Sequence, residues 1–177
     1  YSDTTLIFIP DNYNPEESYP LLFLLHGWSG NYNQWNEIIP LQLLADAYNF
    51  IIVCPNGFYD SWYLNSIYED KIKWEKYFID VLVPHIYTAY NIDSALIFIT
   101  GLSMGGHGAL NLFFKYQDIF TSAGSTSGVL DITKFPDRWG LSNYLGLFEE
   151  NENDWKNNSV FYLAEQKVES KPFIFDC

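Results

Sequence analysis

The amino-acid sequence predicts an α/β fold: a mostly parallel sheet with helices on both faces. Continuous apolar runs at 21–25, 50–54 and 95–100 read as strands buried on both sides, because they lack the alternation of a half-exposed strand. Segments of helical spacing separate these runs, and strands that alternate with helices pair in parallel. At 177 residues and 48% hydrophobic, the chain is long enough for one domain with a sizeable core.

The first element, 4–9, is a short strand stopped by Pro10-Asp11-Asn12. A turn-rich stretch leads into the strand at 21–25. Residues 35–47 have helical spacing, with Ile38, Leu41, Leu44 and Ala45 on one face and Pro40 near the start. The strand at 50–54 ends in the turn Pro55-Asn56-Gly57, and a polar, aromatic loop follows over 58–66. A long helix is expected from about Glu69, its apolar stripe formed by Trp74, Tyr77, Phe78, Val81, Leu82, His85 and Ile86. The strand at 95–100 comes next, then a helix over 106–114. Residues 121–128 form a weaker strand of small residues, 129–167 break into short helical pieces, and 171–177 read as a last strand.

The junction between the strand at 95–100 and the helix after it carries the chemistry. Gly101-Leu102-Ser103-Met104-Gly105 is G-x-S-x-G in a strand–turn–helix setting, the arrangement of a nucleophile elbow. Such a turn holds one serine in a strained conformation above the carboxyl end of a sheet, which makes Ser103 the candidate nucleophile. His26-Gly27-Trp28-Ser29-Gly30 follows the 21–25 strand directly. In an acyl-transfer site of this kind, one oxyanion donor is the N–H after the nucleophile and another comes from this early loop. Those donors are expected to be the backbone N–H groups of Met104 and Trp28. Alone, His-Gly-x-x-Gly is an ordinary glycine turn; the elbow that follows it gives it meaning.

Composition narrows the partners. The net charge of −13, from 22 acidic against 9 basic residues, disfavours nucleic acid and anionic membrane, both of which need a basic footprint. It also disfavours anionic substrates slightly. Cys54 and Cys177 do not make a disulfide framework, and Cys54 sits in a buried run as a small core residue. No run reaches the 18 apolar residues of a membrane span, and no signal peptide is visible. The chain begins at Tyr1 rather than Met and ends on a strand-like run, so we expect both ends to be cut from a longer protein. The compartment stays open: cytoplasmic, or secreted if a leader was removed. No cofactor and no metal are expected.

Five segments carry a wider resemblance: 24–30 (LLHGWSG), 54–57 (CPNG), 61–63 (SWY), 80–86 (DVLVPHI) and 101–109 (GLSMGGHGA). With these in order and at family-like spacing, the chain resembles the esterase D, tributyrin esterase and feruloyl esterase family of α/β-hydrolases, with mycolyltransferases as more distant members. The resemblance implies an α/β-hydrolase fold, incomplete at the C-terminus, in a single domain over 1–177. It implies a serine carboxylesterase that forms an acyl-enzyme on Ser103 from small acyl or feruloyl-type esters.

One departure is serious. Hydrolases of this fold order the triad as Ser, then Asp or Glu, then His, yet no histidine follows His107. The family's acid lies beyond a strand resembling 173–177 and its histidine further still, so both are expected after Cys177. His107 is one helical turn past Ser103, where packing behind the nucleophile is a better expectation than the role of base. His85 is expected to be a hydrogen-bonded core histidine. Asp176, at a strand's carboxyl end, is a weaker candidate for the acid than a later residue. Trp62 and Tyr63 are candidates to line the acyl or alcohol pocket, with a plain structural role equally open. Two rivals to the esterase remain: a catalytically inactive binding protein on the same scaffold, and a protein completed by a partner chain.

Overall fold

The computed structural model describes residues 4–166 and 170–176. Six strands form one sheet: β1 (Thr5–Phe8), β2 (Tyr19–Leu25), β3 (Ile51–Pro55), β4 (Ile92–Gly101), β5 (Ser122–Ser125) and β6 (Phe173–Phe175). Their order is β1-β3-β2-β4-β5-β6. Every pairing is parallel except β1 with β3, where Thr5 faces Pro55 and Phe8 faces Ile52 in an antiparallel edge. The expected strands therefore all exist and share one mostly parallel sheet. Cys177, the end of the last expected strand, lies outside the described residues.

The central strands behave as their apolar runs predict. Leu21, Phe23 and Leu25 of β2 and Ile51 and Val53 of β3 are fully buried in the main core, while Leu24, Ile52 and Cys54 point into a second, smaller core. Burial drives the Cys54 thiol up to about 12, so it stays a neutral core residue. On the side of the main core lie the long helix after β3, α5 (Met104–Lys115) and α8 (Val160–Glu165).

On the other face, α1 (Gln34–Ile38) and α2 (Leu41–Tyr48) replace the single helix expected at 35–47. Pro40 is the break. It has no N–H to donate and pushes the preceding Ile39 to an extended conformation, φ −136° and ψ 144°. Leu41 and Ala45 are buried as expected, but Ile38, cut off from that face, is 60% exposed. These helices pack over β1, β3 and β2. Further along the same face Leu96 and Ile174 are exposed, so this side is covered less completely than the other.

The long helix starts at Trp74, not Glu69, because Asn65 and Lys73 bridge and hold 65–73 as a loop. It runs as α3 (Trp74–Tyr77), a π-helical turn over Phe78–Leu82 and α4 (Val83–Ala89). The π turn corrects the expected stripe. An i→i+5 turn lags an α-helix by close to a full residue's rotation. Trp74, Phe78, Leu82 and Ile86 stay inside, Val83 swings in, and Val81 and His85 swing out to the surface. His85 is an exposed residue and not the core histidine expected.

A buried ion pair ties this helix to α5. Lys115 Nζ lies 2.6 Å from Glu75 Oε2 and 2.7 Å from Asn158 Oδ1, and the Tyr116 hydroxyl donates to Glu75 Oε1 at 2.8 Å. Burial, then the Glu75 charge, pushes the Tyr116 hydroxyl well above its ordinary range. The remaining chain forms α6 (Ser142–Leu145) and α7 (Glu152–Asn157) before α8. No described helix is long and apolar enough to cross a membrane.

Candidate active site

Ser103 stands between β4 and α5 with φ 54° and ψ −111°, a conformation that L-residues rarely adopt. The strain is held by neighbours on both sides. Leu102 N–H donates to Leu25 O at 3.2 Å, Ser103 N–H to Thr126 O at 2.8 Å, and Thr126 N–H to Gly101 O at 2.9 Å. The elbow is thereby suspended between the ends of β2 and β5. Its glycines are dictated by contact: a Cβ on Gly101 would lie 2.3 Å from Gly105 O, and one on Gly105 2.2 Å from Leu25 O. This is the strand–turn–helix setting expected for Ser103, at the carboxyl end of β4.

The turn at 26–30 abuts it. A Cβ placed on Gly27 would be 3.8 Å from the Ser103 Cβ. Gly27 N–H donates to Gln34 Oε1 at 2.7 Å, Ser29 N–H to Tyr59 O at 2.8 Å, and Gly30 N–H to Gly27 O at 3.0 Å. The Trp28 N–H has no acceptor among the described residues. In the elbow, Gly105 N–H donates to Leu102 O at 2.8 Å, and the Met104 N–H likewise has no acceptor among the described residues. Met104's side chain is buried in the core, while Trp28's is 39% exposed.

His26 pins this turn to the loop after β3. Its Nδ1 is 2.8 Å from Gly27 O, and a carbonyl only accepts, so Nδ1 carries the proton. Nε2 accepts from the Gly57 N–H at 2.7 Å. Burial holds the imidazole below its ordinary pKa, consistent with a neutral ring that both accepts and donates. The Tyr63 hydroxyl donates to His26 O at 2.7 Å.

Trp62 and Tyr63, candidates either to line the pocket or to serve the structure, are buried. Each is 1% exposed. The Tyr63 ring fills space that Gly108 leaves, where a Cβ would stand 2.4 Å from Cδ2. Trp62 lies edge-on to His107, with ring centroids 5.5 Å apart, and donates Nε1–H to Trp139 O. Trp62 (φ 54°) and Tyr63 (φ 62°) both stand in the left-handed region, and their side chains turn into the core.

No histidine imidazole hydrogen bonds to Ser103 among the described residues; the one bond between them is from the His107 backbone N–H to Ser103 O at 3.0 Å, within the elbow helix. His107 is fully buried behind the elbow, with Nδ1 2.8 Å from Val129 O and Nε2 unpartnered. Asp176 accepts from the Ser127 N–H at 2.7 Å and donates its own N–H to Ser125 O at 3.0 Å. It braces the segment whose Thr126 carbonyl receives the Ser103 N–H.

Burial lowers the His107 pKa from 6.5 to about 4. The unfolded chain then binds a proton below pH 6.5 that the folded chain refuses, so this residue's contribution is complete above pH 6.5 and is lost as pH falls towards 4. Those pKa values correspond to about 3 kcal/mol. Urea midpoints measured at pH 7, 5.5 and 4 should fall accordingly, and His107→Gln should flatten the profile across that window. An unchanged slope in the variant would show that another group sets it.

The family model described as "Putative esterase" matches residues 2–173. The chain is 32% identical over 132 residues to an esterase of Mycobacterium tuberculosis, covering 69% of this chain and 28% of that protein. It is 33% identical over 124 residues to an acetyl esterase of Caldicellulosiruptor saccharolyticus, covering 67% of this chain and 44% of that one. The chain thus spans less than half the length of either relative. An S-formylglutathione hydrolase from Agrobacterium tumefaciens superposes with a TM-score of 0.85 at 20% identity, over 98% of this chain and 69% of that one, a likeness of fold.

Proposed function

The chain belongs to the esterase family whose model spans it, and from that premise we propose that it is the nucleophile-bearing part of a serine carboxylesterase domain with an α/β-hydrolase fold. The observation that carries the reading is the strained Ser103, next in sequence to Met104 and abutted by the turn that bears Trp28, with the N–H groups of both left without acceptors among the described residues. Ser103 Oγ attacks the ester carbonyl carbon, its proton passing to a base, and the carbonyl oxygen becomes an oxyanion that accepts from both N–H groups. Collapse of that intermediate breaks the bond to the alcohol, which leaves with the proton. Water then releases the acid from the acyl-enzyme. The substrate is a small acyl or feruloyl-type ester, and the net charge of −13 supports a small-molecule partner over nucleic acid. The base is not one of the three histidines present here, and we assign it, with its acid, to polypeptide outside these 177 residues.

A catalytically inactive binding role leaves the elbow unexplained, since backbone strain of about 1–3 kcal/mol persists only where the surroundings enforce it. The test is to mix the complete protein with p-nitrophenyl butyrate, quench, and weigh its peptides. A burst of nitrophenol with one butyryl group on the peptide containing Ser103 is expected. A folded, complete protein that shows neither turnover nor adduct overturns the reading.

A further inference from the structure

Two large rings remain in water on the turns that follow β2 and β3. Trp28 is 39% exposed and Tyr59 is 58% exposed, and they pack edge to face with centroids 4.8 Å apart at 64°. Trp28 follows Gly27, where an added Cβ would lie 3.8 Å from the Ser103 Cβ, and Tyr59 follows the carboxyl end of β3, the strand beside β2. The pair therefore stands at the same sheet edge as the nucleophile. It is firmly mounted. Ser29 N–H donates to Tyr59 O at 2.8 Å, Phe58 N–H to Asn56 Oδ1 at 3.1 Å, and the Tyr144 hydroxyl to Asp60 Oδ1 at 2.8 Å. Packing has not buried these rings, and exposed apolar surface beside a reactive group marks a binding face.

We propose that Trp28 and Tyr59 form a stacking platform for the flat face of an uncharged ring carried by the ester, either a pyranose in the alcohol or an aromatic ring in the acyl group. This rests on the esterase reading of Ser103. The segments 26–34 and 56–66, which build the platform and its surroundings, hold no lysine or arginine and one aspartate, Asp60. An ester bearing carboxylates finds no counter-charge there and meets a chain of net charge −13, whereas a neutral ring needs none. Tyr59 also offers a hydroxyl at the edge of the platform, suited to a ring with polar substituents.

The test compares three esters with the complete protein: methyl ferulate, with its ring in the acyl group; an acetylated methyl xyloside, with its ring in the alcohol; and glyceryl triacetate, which has no ring. Tyr59→Ala should lower the ratio of kcat/KM for the favoured ring ester over the ringless one by roughly 3- to 10-fold, chiefly through KM, and Tyr59→Phe should restore most of it. Which ring ester loses more identifies the side of the ester that stacks. An equal loss on all three esters, or none, overturns the platform. Saturation-transfer NMR of the same ring compounds on complete Ser103→Ala protein reads the platform without hydrolysis. Ring binding that depends on Tyr59 in a protein that cleaves no ester keeps the platform and removes the esterase. Hydrolysis with no Tyr59-dependent ratio does the reverse.

Discussion

Replacing Ser103 with alanine should remove nearly all ester turnover by the complete protein, a fall in kcat of about 10⁴- to 10⁶-fold. The variant keeps Gly101 and Gly105, so the elbow and both proposed oxyanion donors survive. What it loses is the acyl-enzyme, and with it the division of one difficult step into two. The same substitution in the 177-residue chain alone should change little. The Ser103 hydroxyl has no imidazole hydrogen-bonded to it there among the described residues, and a serine without its base is a weak nucleophile near neutral pH. Any rate left to that chain comes from the oxyanion donors and from binding, which in triad-deleted proteases keep about 10³- to 10⁴-fold over water. Steady-state assays of the four proteins separate these cases. A fully active 177-residue chain that His107→Ala silences would make His107 the base, against its buried position and its bond to Val129 O.

What could be read from the sequence was whatever is encoded locally. The run 21–25 shows no alternation because both faces of β2 are covered, one by each core. Ser103 was legible because a strand, a tight turn and a helix must all be written into neighbouring residues. Its two flanking glycines report backbone contacts that no other residue permits. What stayed hidden depends on contacts between distant segments. Within residues 74–89 Pro84, which has no N–H to donate, marks an irregularity in the helix, but it does not say that a π turn precedes it. With that turn Val83 is buried in place of Val81, and the extra residue of phase sends His85 to the surface. The pinning role of His26 needs Gly57, and the ion pair of Glu75 with Lys115 joins residues 40 apart in sequence. Trp62 and Tyr63 at positive φ run against the usual preference of bulky residues, and the tertiary fold overrides it to plug the space under Gly108.

Gly105→Ala should be the most damaging single methyl in the molecule. The new Cβ would stand 2.2 Å from Leu25 O and 2.6 Å from both Leu25 C and His26 O. All three belong to the backbone of β2 and the turn after it, and none can swing aside as a side chain does. Relief to ordinary van der Waals separation requires α5 to withdraw from β2 by about 1 Å. Overpacking on this scale costs about 3 kcal/mol or more, a drop in Tm of at least about 6–12 °C for a domain of this size. The same withdrawal carries Met104 N–H away from Trp28 N–H, so turnover by the surviving folded fraction should fall by about 10²-fold, the loss expected for one oxyanion donor. Gly30→Ala is the contrast. The nearest neighbour of its Cβ would be the end of the Gln34 side chain, at 2.9 Å. That end can rotate away at the loss of the Gly27 N–H bond to Gln34 Oε1, about 1 kcal/mol, so the Tm should stay within about 4 °C of the parent. Thermal melts and assays of both variants decide the matter. A Gly105→Ala protein with parental Tm and turnover would show that α5 and β2 tolerate a separation at which the proposed oxyanion pair could not act together.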